Sequence, residues 1–242
     1  MLYIFLMRIT KYYSPNFDVK LRSSKSITFV IIHYTGMQSE RESLKRLTSP
    51  NSKVSCHYLI KRNGEILSLV NDKNIAWHAG KSMWGKYKNL NKNSIGIELV
   101  NKGHRYGYQA FTKNQIIKLT KLCKNLKKKY MIKNKFILGH SDVAPNRKID
   151  PGEKFPWGVL SSKGIGIYPK KITEKKKSKK ISNIRSFFRN LHKIGYRYLK
   201  VKFRKKIIKN FQRKYRQKKV DGFLDSETYK ISEILAKKSN IA

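Results

Sequence analysis

Short runs of β-branched and aliphatic residues, broken by one long helical pattern, constrain this chain more than any other feature. The runs are Ile27-Thr-Phe-Val-Ile-Ile32, Cys56 to Ile60, Glu65 to Val70, Ser94-Ile-Gly-Ile-Glu-Leu-Val100 and Lys135-Phe-Ile-Leu138. The second and third are joined by Arg62-Asn-Gly64, a compact hairpin signal. Between the last two lies Phe111 to Tyr130, with Ile116, Leu119, Leu122, Cys123 and Leu126 at helical spacing and Thr112 placed to cap the start. Strands interleaved with helices predict an α/β fold, a mixed central β-sheet flanked by helices, over residues 1–169.

Beyond Pro169 the pattern changes. Lys170 to Lys180 is nearly all Lys, Thr, Ser and Glu, so residues 170–181 read as a solvated linker. Three helical patterns follow within residues 182–242. Ile184, Phe187, Phe188 and Leu191 mark the first, and Ile207, Ile208 and Phe211 the second. Asp225 opens the third, which carries Tyr229, Ile231, Ile234 and Leu235, and Asp221-Gly222 is the turn before it. The expectation is a small C-terminal three-helix domain, near the lower size limit for independent folding.

Hydrophobic residues make up 39% of the 242, enough for a proper core. The 56 Lys and Arg against 14 Asp and Glu give a net charge of +42, which attracts polyanions in a salt-dependent way. Scattered lysines on helices read as solvated faces rather than a binding stripe. With no recognised nucleic-acid motif, no nucleic-acid partner is expected. Cys56 and Cys123 make no disulfide framework and read as two buried free thiols. The apolar start, Met1-Leu-Tyr-Ile-Phe-Leu-Met7, is shorter than a signal-peptide core and lacks a basic leader and a cleavage site. No run approaches the ~20 apolar residues of a membrane span.

Three places carry chemistry. His33-Tyr-Thr-Gly36 puts a histidine where a very apolar strand meets a glycine turn. Gly139-His-Ser-Asp-Val-Ala-Pro-Asn-Arg-Lys-Ile-Asp-Pro-Gly152 opens with His140 after a strand and closes with Asp150 before a Pro-Gly turn. Together they offer two imidazoles and a carboxylate, the donor set of a catalytic zinc site that leaves a fourth position to water. Glu98, amid aliphatic residues, is costly to bury unless something pairs with it. Taken singly, His33 also reads as a satisfied core histidine, Glu98 as the outward face of an edge strand, and Lys148 as one more lysine.

Taken together, the segments resemble the amidase-2 family of N-acetylmuramoyl-L-alanine amidases. The matching segments begin with Tyr13-Ser-Pro-Asn-Phe-Asp18, Val30-Ile-Ile-His-Tyr-Thr-Gly36, Ser55-Cys-His-Tyr-Leu-Ile60 and Ala76-Trp-His-Ala-Gly80. Asn93-Ser-Ile-Gly-Ile-Glu-Leu-Val100, Gly139-His-Ser-Asp-Val-Ala-Pro145 and Arg147-Lys-Ile-Asp-Pro-Gly152 follow, then Phe155-Pro-Trp157 and Gly164-Ile-Gly-Ile-Tyr-Pro169. The resemblance implies one zinc ion per chain on His33, His140 and Asp150, with Glu98 as general base and Lys148 as oxyanion partner. It places Trp77 and His78 in the wall of the substrate groove and makes His57 structural.

Leu191-His-Lys-Ile-Gly-Tyr196, Ile207-Ile-Lys-Asn-Phe-Gln212, Asp221-Gly-Phe-Leu-Asp225 and Thr228 resemble the peptidoglycan-binding type 1 domain. The implied partners are peptidoglycan or muropeptides. The resemblance leaves open whether the wall polymer or soluble 1,6-anhydro-muropeptides are cut, and a non-catalytic peptidoglycan-binding protein is the reading from another class.

Overall fold

The computed structural model describes residues 8–169 and 183–239. Met1 to Met7 and the 170–181 linker lie outside the described residues. Six strands make the central sheet: β1 (Ile9–Lys11), β3 (Phe29–Tyr34), β4 (Tyr58–Ile60), β5 (Ile66–Ser68), β9 (Ser94–Leu99) and β10 (Ile137–Gly139). Two small antiparallel pairs complete the strands, β2 (Phe17–Asp18) with β6 (Ile75–Ala76) and β7 (Met83–Trp84) with β8 (Tyr87–Lys88). The helices are α1 (Glu40–Thr48), α2 (Lys113–Tyr130), α3 (His140–Val143), α4 (Trp157–Ser162), α5 (Ile184–Ile194), α6 (Arg204–Tyr215) and α7 (Ser226–Ser239).

The sheet runs β1-β5-β4-β9-β3-β10 and is mixed, as the sequence predicts. Only β4 and β5 pair antiparallel, through the Arg62-Asn-Gly64 turn, where Gly64 takes the positive φ of 94° that such a hairpin requires. The central strands β3 and β9 are buried along nearly their whole length, and apolar residues predominate in them. Alternate residues then point to opposite layers. Val30, Ile32, Ile95, Ile97 and Leu99 meet Ile116, Leu119, Leu122 and Leu126 of α2 in one cluster. That helix begins at a capping box, Thr112 with Gln115, and ends at Met131 in the left-handed region.

The opposite face is shared. Phe29, Ile31 and Leu138 pack with Phe187 and Leu191 of α5, Ile207, Ile208, Phe211 and Tyr215 of α6, and Ile231 and Leu235 of α7. The three predicted helices therefore form, and they pack on one another, α5 against α7 above all, within a cluster that also takes in Phe29, Ile31 and Leu138 of the sheet. Asn183 caps α5 by accepting from the Arg185 and Ser186 amides at 2.9 and 3.2 Å. Between α6 and α7 the Gly222 amide donates to Gln212 Oε1 at 2.8 Å. Cys56 and Cys123 are buried free thiols. Among the described residues no helix is long and apolar enough to cross a membrane.

Candidate metal centre and catalytic cleft

Strand parity decides which side chains reach the cleft. Phe29, Ile31 and His33 share a face of β3, and Ser94, Gly96 and Glu98 share the same face of β9. The register pairs His33 with Glu98, so imidazole and carboxylate stand side by side on adjacent parallel strands. The neighbouring strand β10 pairs Gly139 with Ile32, which delivers His140 next to His33. The loop from α3 then returns, and the Ser141 amide donates to the Asp150 carbonyl at 2.9 Å. The apolar part of this face lies under the C-terminal helices; its polar end is open.

His33 Nδ1 lies 3.0 Å from His140 Nδ1, and each stands 3.1 Å from Asp150 Oδ2. Ligand bonds of about 2.0–2.1 Å meeting at tetrahedral angles set donor atoms about 3.3 Å apart, so this triangle has the size of one face of a zinc tetrahedron. The far side of each ring fixes its tautomer. His140 Nε2 is 3.1 Å from the Ala79 carbonyl, which can only accept, so Nε2 carries the proton and Nδ1 the lone pair. For His33 the constraint arrives through a relay. Ser94 Oγ donates to the Leu90 carbonyl at 2.6 Å and so accepts from His78 Nε2 at 3.1 Å. His78 Nδ1 then accepts from His33 Nε2 at 3.0 Å, leaving His33 Nδ1 unprotonated. Two lone pairs and a carboxylate oxygen converge, an arrangement that a cation reconciles.

The ionisation states agree. Burial and the neighbouring His140 lower the His33 pKa to about 4, so this ring is neutral near pH 7. Burial pushes the Asp150 carboxyl up, but His140 and His33 outweigh it and hold it well below the ordinary carboxylate range. A neutral His33 imidazole and an ionised Asp150 carboxylate are forms a metal needs. The residues present fit a divalent ion, and His33, His140 and Asp150 form a possible metal site.

One cavity of about 290 Å³ is lined by His33, His78, Glu98, His140, Lys148 and Asp150, with Tyr34 and Arg147 among the others. Glu98 Oε2 is buried with no hydrogen-bond partner. Burial and the charge of Asp150 raise the Glu98 carboxyl to about 8, with Lys148 pulling the other way. Arg147 donates from Nε to the Lys81 carbonyl at 3.0 Å and from Nη2 to the Ala79 carbonyl, tying the 144–150 loop to the Trp77-His-Ala-Gly segment.

The remaining expected site residues fall differently. His78 does line the cavity, but it is 6% exposed and both ring nitrogens are engaged in the relay. Its closeness to β9 depends on Gly96, where a Cβ would meet the His78 ring at 2.3 Å. Trp77 is not among the residues lining that cavity. Its indole N–H donates to Asp18 Oδ1 at 2.7 Å, which turns the ring toward β2. His57 is structural as expected, since its Nδ1 accepts the Gly96 amide at 2.9 Å within a fully buried site. Sequence reasoning missed Arg147, Ser94 and the relay; only their places in the motifs pointed to them.

A mixed α/β sheet carries a His-His-Asp cluster able to hold a metal ion beside a buried glutamate, the side chains that a hydrolytic site requires. Residues 23–153 match the family described as N-acetylmuramoyl-L-alanine amidase. The chain is 34% identical to N-acetylmuramoyl-L-alanine amidase AmiD of Escherichia coli over 233 residues, covering 88% of this chain and 83% of AmiD. The structure of that enzyme with the substrate anhydro-N-acetylmuramic acid-L-Ala-D-γ-Glu-L-Lys superposes with a TM-score of 0.80 at 33% identity, covering 88% of this chain and 90% of AmiD. AmpDH3 of Pseudomonas aeruginosa gives 0.81 at 30% identity, covering 93% and 96%. This chain belongs to the N-acetylmuramoyl-L-alanine amidase family.

Proposed function

We propose that the chain hydrolyses the amide between the lactyl group of N-acetylmuramic acid and L-alanine of the stem peptide, with one zinc ion per chain on His33, His140 and Asp150. The observation that carries this is the convergence of His33 Nδ1, His140 Nδ1 and Asp150 Oδ2 beside the unpartnered Glu98 carboxylate. When bound, zinc supplies Lewis acidity toward a carbonyl oxygen and acidifies water near neutral pH.

The side chains supply the rest. Glu98, with no competing partner for Oε2, is free to take a proton from the attacking water and pass it to the leaving L-alanine nitrogen. Its raised proton affinity matches a group that must both accept and return a proton. Lys148 places a cation over the same cavity, where it stabilises the oxyanion of the tetrahedral intermediate. His78 and the Ala79 carbonyl hold the two imidazoles in their lone-pair-inward tautomers.

Residues 1–169 carry the catalysis in this reading, and 182–242 contact the wall. Soluble 1,6-anhydro-muropeptides are a second substrate reading, favoured by the anhydro-muropeptide bound in the AmiD structure. Mass spectrometry of digested sacculi and of soluble anhydro-muropeptides tests both. A free lactyl group and a stem peptide beginning at L-alanine are expected, and the faster of the two digests names the substrate. Wild-type protein carrying zinc that releases no stem peptide from either would refute the proposal.

A further inference from the structure

The 144–150 loop carries Lys148 over the cleft, yet its own backbone hydrogen bonds are few. The Arg147 and Lys148 amides donate to the Ala144 carbonyl at 3.1 and 3.0 Å, closing one turn. The Pro145 and Lys148 carbonyls face away from that turn, toward α6. There Asn210 Nδ2 donates to both, at 2.8 Å to Pro145 and 2.7 Å to Lys148. Both amide protons of Asn210 are thereby used, and the residue is 1% exposed. Its Oδ1 is held in turn by Arg213 Nη1 at 2.9 Å, and Arg213 Nε donates to Glu153 Oε2 at 3.2 Å, just past the loop. The side chain cannot rotate without leaving a buried polar group unsatisfied.

A second contact fixes helix α3, from which the loop departs. Asp142, two residues after His140, is 1% exposed and accepts from Tyr196 Oη at 2.6 Å and Lys214 Nζ at 2.5 Å. Its Oδ2 also accepts the Gly139 amide at 2.8 Å. A buried ion pair between segments this far apart contributes little net stability but penalises other arrangements, because losing one partner strands a charge. Asp150 itself is anchored independently, by the Ser141 amide on its carbonyl. The part of the loop that depends on α6 is therefore Pro145 to Lys148.

We propose that Asn210 is a positioning residue for the amidase reaction: helix α6 of the C-terminal region clamps the loop so that Lys148 sits over the cleft. This rests on the function proposed above and assigns the C-terminal region a part in catalysis in addition to contact with the wall. The clamp does not touch the metal ligands, so its loss leaves zinc content intact. It acts on Lys148 most directly, because one of the two carbonyls it holds is that residue's own. Misplacement of a catalytic group by about 1 Å costs on the order of 10²-fold in rate.

The test is a double-mutant cycle in the full-length zinc-loaded protein with a soluble anhydro-muropeptide as substrate. Asn210→Leu keeps the volume and removes both donors. Its expected signature is kcat lower by about 10- to 100-fold, KM within about twofold, and zinc still at one per chain. In a Lys148→Met background the same substitution costs less than about threefold, since the group it positions is gone. Should the leucine protein fail to fold, Asn210→Ala, which withdraws the donors without adding apolar bulk, carries the same comparison. An unchanged kcat in the folded single variant, or an equal loss in both backgrounds, overturns the inference while wild-type turnover upholds the functional reading. Wild-type protein without turnover overturns both.

Discussion

The two faces of the central sheet are built from alternate residues of the same strands and do opposite work. Under α2, Val30, Ile32, Ile95, Ile97 and Leu99 form a continuous apolar layer. On the other face Phe29 and Ile31 are followed by His33, and Ser94 and Gly96 by Glu98. A face that changes from apolar to polar along its strands has to be covered at one end and open at the other. The C-terminal helices cover the first part and the cleft occupies the second. The difference teaches that the helices of residues 184–239 share one apolar cluster with the buried part of the face that carries the cleft.

The sharpest way to break this comparison is at the polar end. Glu98→Gln keeps the shape of the buried side chain and removes its basicity, so kcat on muropeptides falls by about 10²- to 10⁴-fold while bound zinc stays constant. Survival of activity would strip Glu98 of its role. Next comes Lys148→Met, with kcat lower by about 10²- to 10³-fold. This variant also moves the pH profile. Lys148 lowers the Glu98 pKa, so its removal favours the protonated acid, and the acidic limb of kcat/KM shifts to higher pH. An unshifted limb would separate the two side chains electrostatically.

The apolar end is tested by stability. Phe211 on α6 is fully buried in the cluster that includes Phe29 and Ile31, so Phe211→Ala costs about 3–5 kcal/mol. Because the cluster is shared, calorimetry should show one transition moving down as a whole. Two transitions, with only one displaced, would mean that the helices melt as an independent unit. The smallest effect is expected where the two ends meet. Gly96→Ala forces a Cβ into the His78 ring and disturbs the relay behind His33, which weakens zinc affinity by about 10- to 100-fold. Equilibrium titration against a zinc indicator reads it directly.

Much of this was legible in the sequence for identifiable reasons. Strands buried on both faces read as near-continuous apolar runs, so β3, β9 and β10 stood out, and the histidine and glutamate inside them gained weight from occurring together rather than singly. Helix α1 passed unread because Glu-Arg-Glu-Ser-Leu-Lys-Arg-Leu-Thr shows little apolar periodicity. Its one signal is Ser39, whose Oγ accepts the Glu42 amide at 3.1 Å in a cap. The two-residue strands β2, β6, β7 and β8 carry no period at all. An amphipathic pattern also says that a helix has an apolar face without saying what that face covers, so the shared core was not readable. Asp142 has its partner Lys214 on a helix far along the chain, and Asn210 meets the catalytic loop in the same way. Trp77 lies outside the cavity at the ligand triangle, and the bond from its indole N–H to Asp18 joins residues far apart in the chain that no motif links.

Metal analysis of the purified chain, beside its Asp150→Ala variant, bears most directly on the ligand triangle at the open end of the sheet. The convergence of His33 Nδ1, His140 Nδ1 and Asp150 Oδ2 predicts one zinc per wild-type chain, and a loss of nearly all of it together with muropeptide hydrolysis in the variant. A variant that keeps stoichiometric zinc, or a wild-type chain that hydrolyses muropeptides at full rate after exhaustive chelation, would contradict the account.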